Sequence, residues 1–500
     1  MKPDPDICHS ARLARDKRFD GRFYTAVKTT GIFCRPICPA RPPLERNVEY
    51  FGTAAEAAAA GYRPCLRCRP DAAPGSPAWG LVSTTVQRAL NLMRREREAQ
   101  SIEQLAERLG ITSRYLRKLF AEHIGLSPLQ VWQTERALFA FSLLRDTNLP
   151  IGDIAYAAGF NSLRRFNGVF KDIYQRTPSE VRRENSTADA KSGNSSVAPV
   201  QITLSYRPPF DWPALLEFFA ARALPGVEQV VAGENPQQGM YQRSFELLGQ
   251  RGVLRVAHEP EKGRLRVSVY GEGCGAVLYP LREKLRRLFD LDADSEAIRS
   301  HLQPDPLLQN VLQRNPGVRL PGAWDPFEYT LRAILGQQIS VAAATTIAGR
   351  VASRYGESFA GPGGESLLLF PTAEQLRGAD FSDIGVTRTR ANTLRHFVAA
   401  TLNGEIDFDA PDLDSFCAQM TALPGIGDWT AHYTAMRGLS MPDAFPASDL
   451  GILIALGDEQ QKATPKQALA RAESWRPWRA YAALLLWQSL KLHSPKGGKK

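Results

Sequence analysis

Apolar residues recur at helical spacing in two stretches of the chain, and the spacing predicts a pair of amphipathic helices in each stretch. In the first stretch, an apolar face over residues 101–109 is followed, after Gly110, by another over residues 113–120. The same plan recurs further along, with Gly159 at the turn, and a helix over residues 130–144 joins the two stretches. This pattern predicts two helix-turn-helix units.

A different periodicity follows in the middle of the chain. Residues 252–256 and 264–269 are apolar-rich, and the second segment alternates with the period of two that is typical of a half-buried strand. Helical spacing returns from about Ser295 onward. Residues 184–200 are nearly free of large apolar side chains, which predicts a flexible linker that tethers the two halves of the chain rather than coupling them rigidly.

These patterns predict a multidomain, mainly α chain with one small α+β domain. A length of 500 residues and an apolar share of 43% are enough for several separate cores. The predicted boundaries enclose a cysteine-containing domain (1–75), the tandem helix-turn-helix (80–183), the linker (184–199), the α+β domain (200–292) and an all-α domain (293–493).

The net charge of the chain favours a polyanionic partner. It is +10 at neutral pH, which suits either nucleic acid or an acidic membrane surface. No apolar run approaches the roughly 20 residues that span a bilayer, and no signal peptide is recognisable at the N-terminus. We therefore expect a cytoplasmic, nucleoid-associated protein without membrane contact.

Two cysteine pairs at short spacing predict a metal site. Cys34 with Cys38, and Cys65 with Cys68, can supply the four tetrahedral ligands that Zn²⁺ takes in structural sites. The alternative is a pair of disulfides, which requires an oxidising compartment. The remaining cysteines lack ligand spacing and are expected to be buried or idle; they are Cys8, Cys274 and Cys417.

The second helix of each predicted helix-turn-helix carries basic residues on its outer face. Ser101 and Gln104 form a capping box at the start of the first unit. The tandem arrangement resembles AraC/XylS-type transcription regulators, in which both recognition helices enter successive major grooves. The alternative is a basic helical bundle with solvated arginines. The predicted DNA-facing residues are Arg114, Arg117, Lys118, Arg164 and Arg165.

The motifs around the cysteines extend the argument to chemistry. Residues 31–42 and 61–68 give about residues 3–72 a close resemblance to the N-terminal domain of Ada-type methylation-response regulators. The resemblance implies that Cys34 accepts a methyl group from a DNA methylphosphotriester, once per protein, while it remains a zinc ligand. Methylation would change the charge of a four-thiolate zinc site from −2 to −1 and strengthen promoter binding. The alternative is an inert structural zinc site.

The C-terminal half carries a second set of motifs. Residues 423–431, with Gly425 and Gly427, are typical of a helix-hairpin-helix that binds a DNA phosphate. With Asp449 at the following motif, residues 201–490 resemble AlkA-type 3-methyladenine glycosylases of the HhH-GPD superfamily. The resemblance implies a TBP-like α+β subdomain, an all-α glycosylase domain and Asp449 as the catalytic carboxylate. Asp449 also suits the cap of a helix that begins near Leu450.

The same resemblance implies a base pocket. Lyase-type relatives have a lysine where this chain has Trp429, so plain hydrolysis is implied. Alkylated purines are cationic and stack on aromatic rings, although such rings are often simple core residues. Gln338 falls at the position that fills the gap left by the flipped base. The implied pocket residues are Phe218, Trp429, Tyr433 and Trp487.

Two further expectations concern ions and partners. The resemblance implies a monovalent cation on the hairpin carbonyls of Thr421, Leu423 and Ile426. We expect a monomer whose partners are alkylated duplex DNA, promoter DNA and RNA polymerase.

Together the motifs predict a methylation sensor and transcription activator fused to a monofunctional hydrolase of the DNA-3-methyladenine glycosylase II type. That enzyme would release bases such as 3-methyladenine and 7-methylguanine. The alternative is a DNA-binding regulator whose C-terminal half docks on damaged DNA without catalysis.

Overall fold

The computed structural model describes residues 4–65, 67–68, 70, 84–95, 101–186, 199–410, 412–458 and 461–493. The chain forms two compact units: Met1–Pro208 with Phe245–Arg286, and Pro209–Ser244 with Arg287–Lys500. The first predicted domain boundary, near residue 75, and most of the predicted linker lie outside the described residues.

The N-terminal region of the first unit contains a small mixed sheet. The strands run in the order β3-β1-β2-β4, with β1 antiparallel to β2 and β3, and β2 parallel to β4. The register pairs Phe33 of β2 with Pro64 of β4. It therefore places Cys34 and Cys65, each next in sequence, side by side. The elements are α1 (Pro5–Leu13), β1 (Tyr24–Val27), β2 (Ile32–Cys34), β3 (Val48–Phe51), α2 (Ala54–Ala59) and β4 (Arg63–Pro64).

The predicted tandem helix-turn-helix is confirmed. Ser101 forms its capping box with Gln104, and Gly110 and Gly159 have the positive φ values of 70° and 83° that the turns need. The elements are α3 (Thr84–Arg95), α4 (Ile102–Arg108), α5 (Ser113–His123), α6 (Pro128–Asp146), α7 (Ile151–Ala157), α8 (Leu163–Tyr174) and α9 (Pro178–Ser186).

Two of these helices are longer than the sequence pattern suggests. The joining helix α6 begins at Pro128, because Ser127 and Gln130 form a second capping box and proline suits the first helical turn. The last helix, α9, continues to Ser186 and so includes the first residues of the predicted linker.

A five-stranded sheet follows, in the order β5-β9-β8-β7-β6. In β9, Leu265, Val267 and Val269 are buried and alternate with more exposed residues, as the period-two pattern predicts. The strands are β5 (Val200–Ser205), β6 (Glu228–Val231), β7 (Met240–Leu247), β8 (Gln250–Glu259) and β9 (Arg264–Tyr270), with helices α10 (Trp212–Ala220) and α11 (Leu278–Leu288).

The remainder of the second unit is mostly helical, as predicted, around one large apolar core. Its elements are α12 (Ser295–Leu302), α13 (Pro306–Arg314), α14 (Pro326–Leu335), α15 (Val341–Tyr355), β10 (Ser358–Ala360), β11 (Ser366–Leu368), α16 (Arg388–Leu402), α17 (Leu413–Thr421), α18 (Asp428–Gly438), α19 (Leu450–Ala455), α20 (Pro465–Ala472) and α21 (Arg479–His493). Within the described parts of the chain, every helix is too short or too polar to cross a membrane.

Candidate functional site

The four predicted metal ligands come together in the first unit. The sulfur atoms of Cys34, Cys38, Cys65 and Cys68 all lie within 4.8 Å of one another, and none is in a disulfide. Tetrahedral Zn–S bonds of about 2.3 Å require sulfur atoms about 3.8 Å apart. The cluster therefore fits one Zn²⁺ with four thiolate ligands, as the sequence predicts.

Arg35 supports this cluster from within the Cys34–Cys38 turn. Its backbone N–H donates to Cys68 Sγ at 3.3 Å, and its Nη1 donates to the Cys68 carbonyl at 3.1 Å. The guanidinium also pairs with the buried carboxylate of Asp20, where Nε lies 2.8 Å from Oδ1. Arg35 thus links both cysteine turns through contacts that do not depend on the metal.

A basic cleft of about 490 Å³ opens onto three of the four cysteines. Cys34 and Cys38 are half-buried residues at this surface, whereas Cys65, which also lines the cleft, and Cys68 are buried. A cleft of this charge attracts an anionic backbone. Its cationic lining residues are Arg12, Arg15, Arg35, Arg41, Arg63 and Arg67.

The other three cysteines lie outside this cluster, as expected. Cys8 and Cys274 are buried and Cys417 is half-buried. Burial raises the pKa of the Cys8 and Cys417 thiols to about 12 and that of Cys274 to about 11. All three are therefore protonated and unreactive near neutral pH.

The predicted DNA-facing residues of the helix-turn-helix units are exposed on α5 and α8. Arg114, Arg117 and Lys118 lie on the outer face of α5, and Arg164 and Arg165 begin α8. Arg117 Nη2 is 2.9 Å from Glu103 Oε1, and Lys118 Nζ is 3.7 Å from Glu122 Oε1. These surface pairs are weak enough to exchange for phosphate contacts.

In the second unit, Gly425 and Gly427 lie in the turn between α17 and α18. Gly425 has a φ of 84°, and a Cβ there would lie 2.0 Å from Thr393 Oγ1. Gly427 caps α18 with an ordinary negative φ and open space around it. Gln337 Nε2 donates to the Gly425 carbonyl at 3.1 Å and ties the hairpin to the end of α14. The turn therefore has the left-handed residue that the motif predicts.

Asp449 caps α19 and is held by three N–H donors. Oδ1 accepts from the backbone N–H of Ile452 at 3.1 Å and from Trp487 Nε1 at 2.8 Å, while Oδ2 accepts from Trp429 Nε1 at 2.9 Å. The expected cap is therefore present together with the two indole contacts. Both carboxylate oxygens are oriented by these bonds toward a cavity of about 350 Å³ that the residue lines.

Three of the four predicted pocket aromatics line that same cavity. Trp429 and Tyr433 stack with ring centroids 5.0 Å apart and an interplanar angle of 18°, and Trp487 meets Tyr433 edge-on at 6.1 Å. Burial alone would raise the pKa of the Tyr433 hydroxyl, but the nearby Arg222 and Arg437 guanidinium groups lower it overall. The cavity presents π faces beside a fixed carboxylate, which suits a flat cationic ring.

Phe218, the fourth predicted aromatic, does not line the Asp449 cavity. It lines a neighbouring cavity that shares only part of its wall with the first, including Arg222 and Trp487. Two guanidinium groups lie over its ring, with the Cζ atoms of Arg222 and Arg437 3.7 and 4.1 Å from the centroid. The Phe218 ring is therefore already engaged by cations of the protein itself.

Gln337 and Gln338 diverge at the end of α14. Gln338 is exposed and has a φ of 57°, which turns it away from its neighbour. Gln337 instead binds the hairpin, through the Gly425 carbonyl and Thr430 Oγ1. Among the residues that the structure describes, no hydrogen-bond partner of the Gln338 side chain is found, and its predicted role stays a prediction.

Of the three carbonyls expected to hold a cation, that of Leu423 accepts from the backbone N–H of Ile426 at 3.1 Å. A carbonyl oxygen has a second lone pair, so this bond does not preclude a cation, and the expectation stays a prediction.

Several functional residues are missed by the sequence analysis. Arg222 and Tyr329 line the Asp449 cavity, and the Arg437 guanidinium lies over the Tyr329 ring, with Cζ 5.4 Å from the centroid. Burial lowers the pKa of Arg437, but the adjacent phenols offset part of that effect. Arg222 follows the C-cap of α10, four residues after Phe218, and its Nη1 donates to the Phe218 carbonyl at 3.3 Å. This spacing at the helix end is the signal that could have located it.

Three protein families match successive parts of the chain. The family described as metal binding domain of Ada matches residues 7–71, a helix-turn-helix domain family matches residues 105–184, and the AlkA N-terminal domain matches residues 201–325.

Individual proteins are similar over longer ranges. A probable bifunctional transcriptional activator/DNA repair enzyme AlkA from Mycobacterium tuberculosis is 39% identical over 499 residues, which cover 98% of this chain and 97% of the relative. DNA-3-methyladenine glycosylase 2 from Escherichia coli is 34% identical over 289 residues, 57% of this chain and 96% of that protein. The solved 3-methyladenine DNA-glycosylase from Archaeoglobus fulgidus shares the fold, with a TM-score of 0.51 and 21% identity, and covers 59% of this chain and 99% of its own.

Proposed function

We propose that the chain combines two activities on alkylated DNA, because it belongs to the family of probable bifunctional transcriptional activator/DNA repair enzymes AlkA. The second unit hydrolyses the N-glycosidic bond of alkylated purines, and the cysteine cluster senses methylated phosphates. The observation that carries the first activity is the Asp449 carboxylate, fixed by two indole N–H groups at the wall of an aromatic cavity.

Base release needs charge stabilisation more than a nucleophile. As the alkylated purine leaves with the electron pair of the glycosidic bond, positive charge develops on the sugar, and a fixed carboxylate stabilises it. Trp429 and Tyr433 hold the flipped cationic base by stacking. Water then adds to the sugar carbon and loses a proton, so the products are an abasic site and a free base.

The test compares the parent with Asp449→Asn on duplex DNA that carries 7-methylguanine. Asparagine retains the shape of the side chain and the helix cap through its one oxygen, but its amide nitrogen cannot accept the second indole N–H. We therefore expect a loss of stability of about 1–3 kcal/mol and a loss of base release on the order of 10²–10³-fold. Asp383→Asn, an exposed carboxyl outside the hairpin and the Asp449 cavity, is the matched control and should retain release. Equal release from the parent and Asp449→Asn removes catalysis from the proposal and leaves a protein that only docks on damaged DNA.

For the sensor, we assign the reacting sulfur to Cys34, the cysteine that the resemblance to Ada-type regulators singles out. It is half-buried and faces the arginine cleft, where a phosphotriester in DNA can approach. Zinc, when bound, keeps the cysteines as thiolates at neutral pH. The Cys34 sulfur attacks the methyl carbon; an S–C bond forms, the C–O bond breaks, and the electron pair leaves on the phosphate oxygen. The thioether is stable, so each protein reacts once.

Mass spectrometry after incubation with methylphosphotriester DNA tests this assignment. We expect one added methyl group, on the peptide that contains Cys34, and none in Cys34→Ser. Cys38 is the informative comparison, because it is half-buried and faces the same cleft. A methyl group on Cys38, Cys65 or Cys68 overturns the choice of acceptor.

In this proposal the helix-turn-helix units bind promoter DNA once the cysteine cluster has been methylated. The exposed basic residues of α5 and α8 suit contacts to promoter DNA, and loss of one negative charge at the cysteine cluster weakens repulsion from phosphates. We include RNA polymerase as a partner, a monomeric state and a cytoplasmic, nucleoid-associated location in the proposal.

A further inference from the structure

Arg207 lies just after β5, in the part of the chain that resembles the glycosylase, yet it contacts the N-terminal metal domain. Only 1% of its surface is exposed. Its Nε donates to the backbone carbonyl of Asp20 at 2.9 Å, across 187 residues of sequence. Both residues belong to the first compact unit. A guanidinium this deeply buried is placed by its surroundings and in turn fixes the group it binds.

Asp20 connects this contact to the metal ligands. Its side chain, 5% exposed, accepts from Arg35 Nε at 2.8 Å. Arg35 in turn donates to the Cys68 carbonyl and, through its backbone N–H, to Cys68 Sγ. Two buried side chains therefore separate Arg207 from a metal ligand, and each link is a hydrogen bond with a defined donor and acceptor.

Further contacts in the same unit hold the two regions in place. Phe139 of the joining helix α6 meets Tyr279 edge-on, with centroids 5.3 Å apart. Thr203 Oγ1 of β5 donates to Asp146 Oδ2, at the end of the same helix, at 3.2 Å. The helix also packs against α2 of the metal domain. The segment around β5 is thus docked against the sensor region instead of being joined to it only by residues 187–198.

We propose that Arg207 is a positioning residue for the zinc site, supplied by the glycosylase-like part of the chain, so that zinc retention and the reactivity of Cys34 depend on this docking. The part of the proposal that concerns Cys34 rests on the proposed function; the part that concerns zinc retention does not. This revises the expectation of simple tethering. In this chain the zinc site is then completed by a residue that follows the helix-turn-helix region in the sequence.

The experiment uses the full chain with Arg207→Ala and Arg207→Met, and measures the rate at which zinc passes to a chromogenic chelator. Methionine retains much of the packing of the arginine stem but cannot donate to Asp20. Loss of a partner bonded directly to a ligand typically costs a metal site about 10–100-fold in affinity, and Arg207 acts one residue further out, through Asp20 and Arg35. We therefore expect both variants to release zinc about three- to tenfold faster than the parent. Parent-like release from Arg207→Met overturns the proposal, because packing alone would then explain the burial.

Arg266→Ala is the matched control. Arg266 lies on β9 opposite Thr203 of β5, its side chain is half exposed, and its ion pair is with Glu259. We expect parent-like zinc release from it. Release of 7-methylguanine should be unchanged in all three variants. This activity shows whether the second unit is folded in each of them. We also expect slower methylation of Cys34 in both Arg207 variants. If neither the parent nor any variant is methylated, the rate of zinc release still tests whether Arg207 positions the zinc site.

Hydrogen exchange on the unaltered protein gives an answer even if the Arg207 variants do not fold. Removal of zinc should speed amide exchange around Asp20 and Arg35 and also in residues 199–207, because the two segments share the buried bond. Faster exchange limited to the metal domain, with residues 199–207 unchanged, overturns the proposal.

Discussion

At the scale of single residues, Asp449 shows how one side chain serves two roles. The bond from the Ile452 N–H satisfies a helix terminus, and the two indole bonds orient the carboxylate toward the cavity. Trp429 and Trp487 therefore contribute N–H donors as well as ring faces. A carboxylate already held by three donors needs little reorganisation when positive charge develops beside it, which is the condition for effective electrostatic stabilisation.

Asp290 provides a prediction about stability and pH. Burial raises the pKa of its carboxyl to about 6, and Oδ2 alone accepts from Tyr481 Oη at 2.7 Å and from the Leu320 N–H at 2.9 Å. Because the folded pKa is above the ordinary value of 3.8, this group favours folding at low pH and loses that contribution as pH rises through 6. Asn can keep both bonds through one oxygen, and it tolerates the φ of 50°.

We therefore expect Asp290→Asn to raise the free energy of unfolding by about 1–3 kcal/mol at pH 7.5, and by much less near pH 4.5. Urea unfolding at the two pH values measures the difference. Asp383→Asn, an exposed carboxyl, is the control and should change stability by less than about 0.5 kcal/mol at either pH. A pH-independent effect of Asp290→Asn would contradict this account.

At the scale of elements, the hairpin between α17 and α18 distinguishes its two glycines. Gly425→Ala would place Cβ against Thr393 Oγ1 in a left-handed backbone, so we expect a loss of about 1–3 kcal/mol in stability and weaker binding to duplex DNA. Gly427→Ala meets no atom within 4 Å and should remain stable. Thermal unfolding and a DNA-binding titration measure both effects. Parent-like stability of Gly425→Ala would show that the hairpin is not shaped by this residue.

Elements with local signals are predictable from the sequence, whereas contacts between distant elements are not. The Ser101 capping box and the turn at Gly110 are encoded within a few residues, and the structure has both. The four cysteines converge because two short motifs fix their spacing. Arg207, by contrast, binds a carbonyl 187 residues away, and the spacing of apolar residues along the sequence does not predict such a pair.

The residues of the base cavity also differ in how well the sequence predicts their positions. Trp429, Tyr433 and Trp487 line it as expected. The resemblance implies that Phe218 belongs to it as well, but the structure places the guanidinium groups of Arg222 and Arg437 over that ring. The packing of two arginines on one ring depends on tertiary geometry that a one-dimensional pattern does not contain.

At the scale of the whole molecule, the two compact units should differ in their dependence on zinc. One buried apolar cluster of the metal domain is small and contains Cys8, Ala11 and Phe23, with Phe19 and Tyr50 against it. The four cysteines converge from two separate turns of this domain, so we expect the bound metal to contribute to its stability. The second unit has a large core of its own and the Asp449 cavity, with no part in the cysteine cluster.

Removal of zinc by a strong chelator should therefore destabilise the first unit and leave base release intact. Differential scanning calorimetry is expected to show that a transition of the first unit moves to lower temperature, while release of 7-methylguanine at 25 °C stays within about twofold of the untreated protein, because metal binding stabilises only the unit that holds the metal. Restored zinc should reverse the shift, and Asp290→Asn should move only the other transition. If base release instead falls as zinc is removed, the second unit does not remain folded when the first is destabilised. The division into two independently stable units would then be wrong.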